Sequence, residues 1–230
     1  MTPEQSTEFE AKGCLYLGEA LSKQVVQPIK TRILDDLKRL NIWSSGRTLS
    51  QRLKGVPIFQ QTDKLGQWIA CPELHQTLMT ASLSSAMEQL AQRPLLPAQS
   101  APLLISLPQK DAWTLTGLNW HRDIAQSQTR SIPGIQAFVL LDDVPVHGGA
   151  TLALAGSHRL SNPTTARQRL EELSKGGVIS VEGCELSLVE MSGRAGDVYL
   201  MDMRVLHTPS INASKKPRLM ATMRRLVDAH

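Results

Sequence analysis

The chain has 230 residues, 41% of them hydrophobic and 20% charged, with a net charge of +4; these are the proportions of one ordinary globular domain, not of a disordered or fibrous chain. No apolar run approaches the length needed to span a bilayer, and three cysteines far apart in sequence, Cys14, Cys71 and Cys184, argue against a disulfide framework or a thiolate zinc site. The basic residues are scattered among acids, and two Tyr and three Phe offer few platforms for bases; nucleic acid is excluded as a partner, while a basic cleft for an anionic substrate stays open.

In chain order, the polar start MTPEQSTEFEAKG lacks the basic and then apolar pattern of a secretory signal, which predicts a cytosolic protein. Val25, Val26, Ile29, Ile33, Leu37 and Leu40 recur at helical spacing after Ser22, predicting an amphipathic helix over 21–40 with a kink or late start at Pro28. Residues 41–64 mix Ser, Gly, Arg, Gln and Pro without a period and read as a loop or lid. A second helix is predicted from Pro72 to about Gln92, with Leu74, Leu78, Leu83, Met87 and Leu90 inward. The Pro-rich stretch 92–102 then leads into a different texture.

From Leu103 onward, short runs rich in Leu, Ile, Val and Thr alternate with turn residues: LLISL, AWTLTGLNWH, IQAFVLLDD, ATLALAGS, VISV, ELSLVEM, DVYLMDMRVLH and RLMATMRRLV. These predict a β sandwich or barrel, with one excursion of helical turns over 163–175. The expectation is one domain over 1–230, mainly β with flanking N-terminal helices: a largely helical part and lid over 1–102 and a β core over 103–230.

The chemistry sits in two places. His121-Arg122-Asp123 ends the run TLTGLNWH; on a strand, His121 and Asp123 share a face and Arg122 points away. His207 ends DVYLMDMRVLH. If the two segments lie side by side, two imidazoles and one carboxylate close one triangular face of an octahedron and leave three positions open. That suits non-haem Fe(II), which must take a bidentate cosubstrate and then O₂; zinc uses similar ligands but cannot do redox chemistry. An HxD pair alone is weak, since such pairs arise often by chance. Arg218, eleven residues after His207, adds to it: from a neighbouring strand its guanidinium can grip the far carboxylate of a 2-oxo acid through two parallel hydrogen bonds.

The order HxD, GGATLALAGSH, GRAGDVYLMDMRVLH and then Arg218, with the opening FEAKGCLYLGEALSKQVV, resembles the phytanoyl-CoA dioxygenase-like oxygenases. The resemblance covers most of the chain and is strongest over 117–226. It implies a double-stranded β-helix (cupin-like jelly roll), with Fe(II) held by His121, Asp123 and His207, and 2-oxoglutarate held by Arg218. It also implies hydroxylation of a small molecule such as an amino acid, a lipid-like acid or an intermediate of secondary metabolism. Asp123 sets the chain apart from the halogenase variant, in which a small residue stands there. Gly156-Ser157-His158 matches a structural turn of the family, so His158 is not counted as a ligand, nor is His147. Pro209 stands where many relatives carry a hydroxyl residue near the cosubstrate; Thr208 or Ser210 is the substitute, and Gln136 falls near cosubstrate or substrate contacts. Substrate choice is expected in the 41–64 loop, Trp113, Trp120 and the segment HRDIAQSQTRSIPG, with Arg130 and Arg204 as partners for an anionic group or as surface charges. Two alternatives stay open: a catalytically silent metal-binding or sensing module, and a cupin-type metal enzyme without 2-oxoglutarate.

Overall fold

The structure, a computed structural model, describes residues 1–48, 53–69, 71–72, 74–110, 112–124 and 131–228. It opens with a helix the sequence reading passed over, α1 (Pro3–Lys12). Its start was written plainly: Thr2 and Gln5 form a capping box and Pro3 stands in the first turn. Gly13 ends it in a left-handed conformation, and strand β1 (Cys14–Leu17) follows. Helix α2 (Lys23–Arg39) carries Pro28 in its second turn and buries Val26, Ile33 and Leu37, as the period predicts.

The supposed lid is folded. It contains a small hairpin, β2 (Trp43–Ser44) with β3 (Arg47–Thr48), and helix α3 (Ile58–Trp68); residues 49–52 lie outside the described residues. Polar Gln, Thr and Asp positions diluted the apolar period, and Pro57 at the N-cap was the missed signal. The predicted helix over 72–92 is two, α4 (Leu74–Leu78) and α5 (Ala81–Ala91). The break is at Thr80, whose hydroxyl accepts from the Leu83 amide and caps α5 afresh.

The β region forms two sheets facing each other, a double-stranded β-helix. The remaining strands are β4 (Leu103–Ser106), β5 (Gly134–Leu140), β6 (Thr151–Ala155), β7 (Val178–Val181), β8 (Cys184–Glu190), β9 (Val198–Asp202), β10 (His207–Pro209) and β11 (Arg218–Leu226). The five-stranded sheet runs β1-β9-β5-β11-β4 and the four-stranded sheet β10-β6-β8-β7. The excursion over 163–175 is helical, with α6 (Thr164–Gln168) and a 3-10 segment.

Two predicted strands need correction. AWTLTGLNWH makes no strand; its extended end joins the sheets only through an isolated bridge, His121 to His207. DVYLMDMRVLH is two strands in different sheets, β9 and β10, joined by a turn in which the Val205 amide donates to the Asp202 carbonyl. That turn carries the chain across the sandwich.

Side-chain alternation then sorts residues onto faces. One face of the five-stranded sheet presents Leu15, Ile135, Ala137, Val139, Leu200, Leu219 and Ala221 to the helices, merging with Ile33, Leu37, Leu65, Leu78 and Met87 in one core. Gly66 of α3 packs so closely on β4 that a Cβ there would run into the Leu103 carbonyl oxygen. The other face, with Phe138, Leu140, Met201 and Met220, meets Ala153 and Val189 of the second sheet. The far side of that second sheet is covered by Leu115, Trp120, Leu160, Ala166 and Leu170.

Candidate metal centre

His121 and His207 exchange both backbone hydrogen bonds, at 3.0 and 2.9 Å, so the two segments do lie side by side. Each ring is pinned through Nδ1: His121 to the Asn119 carbonyl at 2.8 Å and His207 to the Val205 carbonyl at 3.1 Å. A carbonyl only accepts, so Nδ1 carries the proton and Nε2 of each ring is left with its lone pair. Burial pushes His207 down to about 4, against the opposing pull of Asp123, so its imidazole is neutral, as a ligand must be.

Asp123 completes the group. Its Oδ2 lies 3.7 Å from His207 Nε2 and is buried without a hydrogen-bond partner among the described residues. One ligand atom from each of His121, Asp123 and His207 falls within 4.8 Å of the others. A buried carboxylate oxygen without a donor is costly unless something cationic meets it, so the orphaned oxygen fits a metal ion. Arg122 turns away, as alternation predicts, and donates to the carbonyls of Ser157 and Leu160. Ser157 also accepts from the Leu206 amide, so the Gly156-Ser157-His158 turn ties together the two segments that bear the histidines. His158 itself bonds the Glu10 carbonyl, away from the triad.

Arg218 stands on β11 facing between the sheets, on the same side as Met220, Thr222 and Arg224. It is fully buried, donating through Nε to Gly149 and through Nη1 to Leu104 carbonyls, while Nη2 has no partner among the described residues. Burial lowers the guanidinium to about 9, leaving it cationic at neutral pH. Its unfilled N–H fits a carboxylate.

A family model described as phytanoyl-CoA dioxygenase (PhyH) matches residues 9–220. The chain belongs to this family. No curated protein sequence matches it. Among solved structures it is similar to SnoK, described as a non-haem alpha-ketoglutarate dependent carbocyclase from nogalamycin biosynthesis (18% identity, TM-score 0.66, covering 99% of this chain and 84% of that one). It is also similar to HygX from Streptomyces hygroscopicus, solved with nickel and 2-oxoglutarate bound (17%, 0.64, 100% and 88%). EctD from S. alaskensis with bound Fe is a third (16%, 0.64, 99% and 77%). At these identities the likeness is one of fold.

The other expected site residues of this family member divide. Gln136 faces the interior of the sandwich and is 2% exposed. The single proton of Thr222 goes to the Ala137 carbonyl, so the Thr222 oxygen accepts from Gln136 Nε2 at 2.7 Å and Oε1 is left without a donor among the described residues. Thr208 pairs with Leu152, whereas His207 pairs with Ala153; Thr208 therefore shares the outer face and cannot replace the hydroxyl missing at Pro209. Ser210 spends its proton on the Ala150 carbonyl at 2.8 Å. Arg204 is neither a surface charge nor open to an anion: it is buried in an ion pair with Asp202. Trp120 is buried in the outer cluster, donating to Leu115, and Trp113 stacks on His147 with ring centroids 4.2 Å apart. Arg130 lies outside the described residues, as does the rest of 125–130.

Two residues were missed. Ser106 stands directly opposite Arg218 across β4 and β11, and only strand register brings it there. Arg224 donates to Asp123 Oδ1 at 2.8 Å. A signal for it did exist: an even spacing from Arg218 along one strand puts both on one face. No helix among the described residues is long and apolar enough to cross a membrane.

Proposed function

We propose that this protein is an Fe(II)- and 2-oxoglutarate-dependent dioxygenase that hydroxylates an unactivated C–H bond of a small molecule. The observation that carries the reading is the buried Asp123 Oδ2, without a hydrogen-bond partner among the described residues, facing Nε2 of His207 at 3.7 Å. Two neutral imidazoles and one carboxylate are the ligand set suited to non-haem iron. His121, Asp123 and His207 would hold the iron, and Arg218 would hold the distal carboxylate of 2-oxoglutarate by a charge-assisted hydrogen bond. Bound together with O₂, iron and 2-oxoglutarate supply the oxidising power, with succinate and CO₂ released. The chain's own residues orient and enclose. The carbonyls of Asn119 and Val205 keep both imidazoles in one tautomer. Phe138, with its ring centroid 6.1 Å from that of His207, keeps the interior apolar beside the triad, and Gln136 Oε1 offers an acceptor to a hydroxyl or amine of the substrate. Substrates of the expected kind are an amino acid, a lipid-like acid or an intermediate of secondary metabolism.

The test is an anaerobic titration of metal-free protein with Fe(II) and 2-oxoglutarate, followed by visible absorption. A charge-transfer band that requires both components and weakens in Arg218→Ala supports the reading. Tight iron binding with no band would turn it towards a cupin enzyme without the cosubstrate, and absence of both towards a silent module.

A further inference from the structure

The two oxygens of Asp123 differ. Oδ1 accepts a charge-assisted hydrogen bond from Arg224 Nη2 at 2.8 Å, while Oδ2 faces His207 Nε2 with no donor among the described residues. The Asp123 side chain is 9% exposed, that of Arg224 52%. Arg224 therefore reaches inward from the rim of the sandwich to one oxygen of an otherwise enclosed carboxylate. Its backbone is fixed by β11, where Arg224 pairs with Gln136, so the reach of the guanidinium is set by the sheet.

We infer that Arg224 is a positioning residue that restricts Asp123 to one-oxygen ligation of the metal. The inference rests on the proposed iron site. A carboxylate can bind an ion through one oxygen or both. With two imidazoles, one-oxygen ligation leaves three of six octahedral positions for exchangeable ligands; two-oxygen ligation leaves two. Two positions take a chelating 2-oxo acid and nothing more, so O₂ would have no place. Tying Oδ1 to a guanidinium engages its lone pair and opposes rotation of the carboxylate about its Cβ–Cγ bond. A cation beside a metal also opposes metal binding. That effect is blunted here because the guanidinium is half exposed and screened by solvent, whereas the hydrogen bond to the carboxylate is directional.

The experiment loads metal-free protein with Mn(II), which suits the same ligands, and measures water proton relaxivity per bound ion, with and without 2-oxoglutarate, in wild type, Arg224→Met and Arg224→Lys. Exposure of Arg224 lets the fold survive its replacement, and circular dichroism melting of the metal-free proteins checks that it does. In Arg224→Met the relaxivity is expected to drop to about two-thirds of wild type, as two exchangeable waters replace three. With 2-oxoglutarate bound it should fall to the background of an ion with no water, where wild type keeps one. Arg224→Lys, still a donor, should recover the wild-type value. Equal relaxivity in wild type and Arg224→Met overturns the role of Arg224 while leaving the metal site standing. Failure of wild type to bind Mn(II) or Fe(II) overturns both.

Discussion

The two faces of the five-stranded sheet are made by alternate residues of the same strands, yet they obey different rules. Towards the helices, Ile135, Ala137 and Val139 of β5 join the apolar core, and Arg225, opposite Ile135, is bonded to Ser84, Glu88, Leu95 and Leu96. Towards the second sheet, Gln136 alternates with them and among the described residues leaves an acceptor unused, as Arg218 leaves a donor and Asp123 a carboxylate oxygen. Burying polar groups without partners costs stability. Trp113, Arg122 and His158 carry other such atoms away from this sheet, but among the described residues none lies on its helix-covered face; that face stabilises the scaffold, and the opposite one faces the ligands.

The comparison breaks most sharply at the triad. His207→Ala should reduce iron-dependent turnover to the detection limit while the unfolding midpoint of the metal-free protein stays near wild type; retained activity would remove His207 from the ligand set. Ile135→Ala, on the helix face, should do the reverse. It should lose about 2–5 kcal/mol of stability through the lost burial and the cavity left behind, read from urea denaturation, with Fe(II) bound normally by the folded fraction. Arg218→Ala should weaken 2-oxoglutarate binding by roughly 2–3 kcal/mol, or about 30- to 150-fold, measured from the charge-transfer band. Gln136→Met, one residue from Ile135, should shift stability by no more than about 1 kcal/mol, since at similar volume it gives up the bond to Thr222 but also removes an acceptor with no partner among the described residues. A change as large as that of Ile135→Ala would erase the distinction between faces. The gentlest probe is pH. Burial holds His158 below its ordinary value of 6.5, so below that value the unfolded chain takes a proton that the folded chain refuses. Stability is then complete above about 6.5 and declines as pH falls towards the folded value. His158→Gln should make the melting temperature of the metal-free protein less steep in that window.

Much of the site was legible because strand alternation is local. His121 and Asp123 share a side because they are two apart, and Arg122 points elsewhere for the same reason. Helix α2 showed itself through its apolar period. The break at Thr80 and helix α3 did not, because a cap within a continuous apolar pattern, or a helix diluted by Gln, Thr and Asp, looks like its surroundings when single residues are read. Thr208 shows the opposite limit. Its neighbour His207 is a candidate ligand, but pairing with Leu152 turns Thr208 to the other face, and pairing is a property of two strands.

The sequence by itself determined which residues can bind a metal, which periodicities make helices and strands, and the order in which the chemistry appears along the chain. Only the tertiary structure decided that DVYLMDMRVLH divides between two sheets and that Arg224 rather than a neighbour of the HxD pair holds Asp123. The physical reason is distance along the chain. Faces and caps are fixed by dihedral angles within a few residues, whereas the partner of a buried polar atom is chosen by strand register between segments about a hundred residues apart, as Asp123 and Arg224 are.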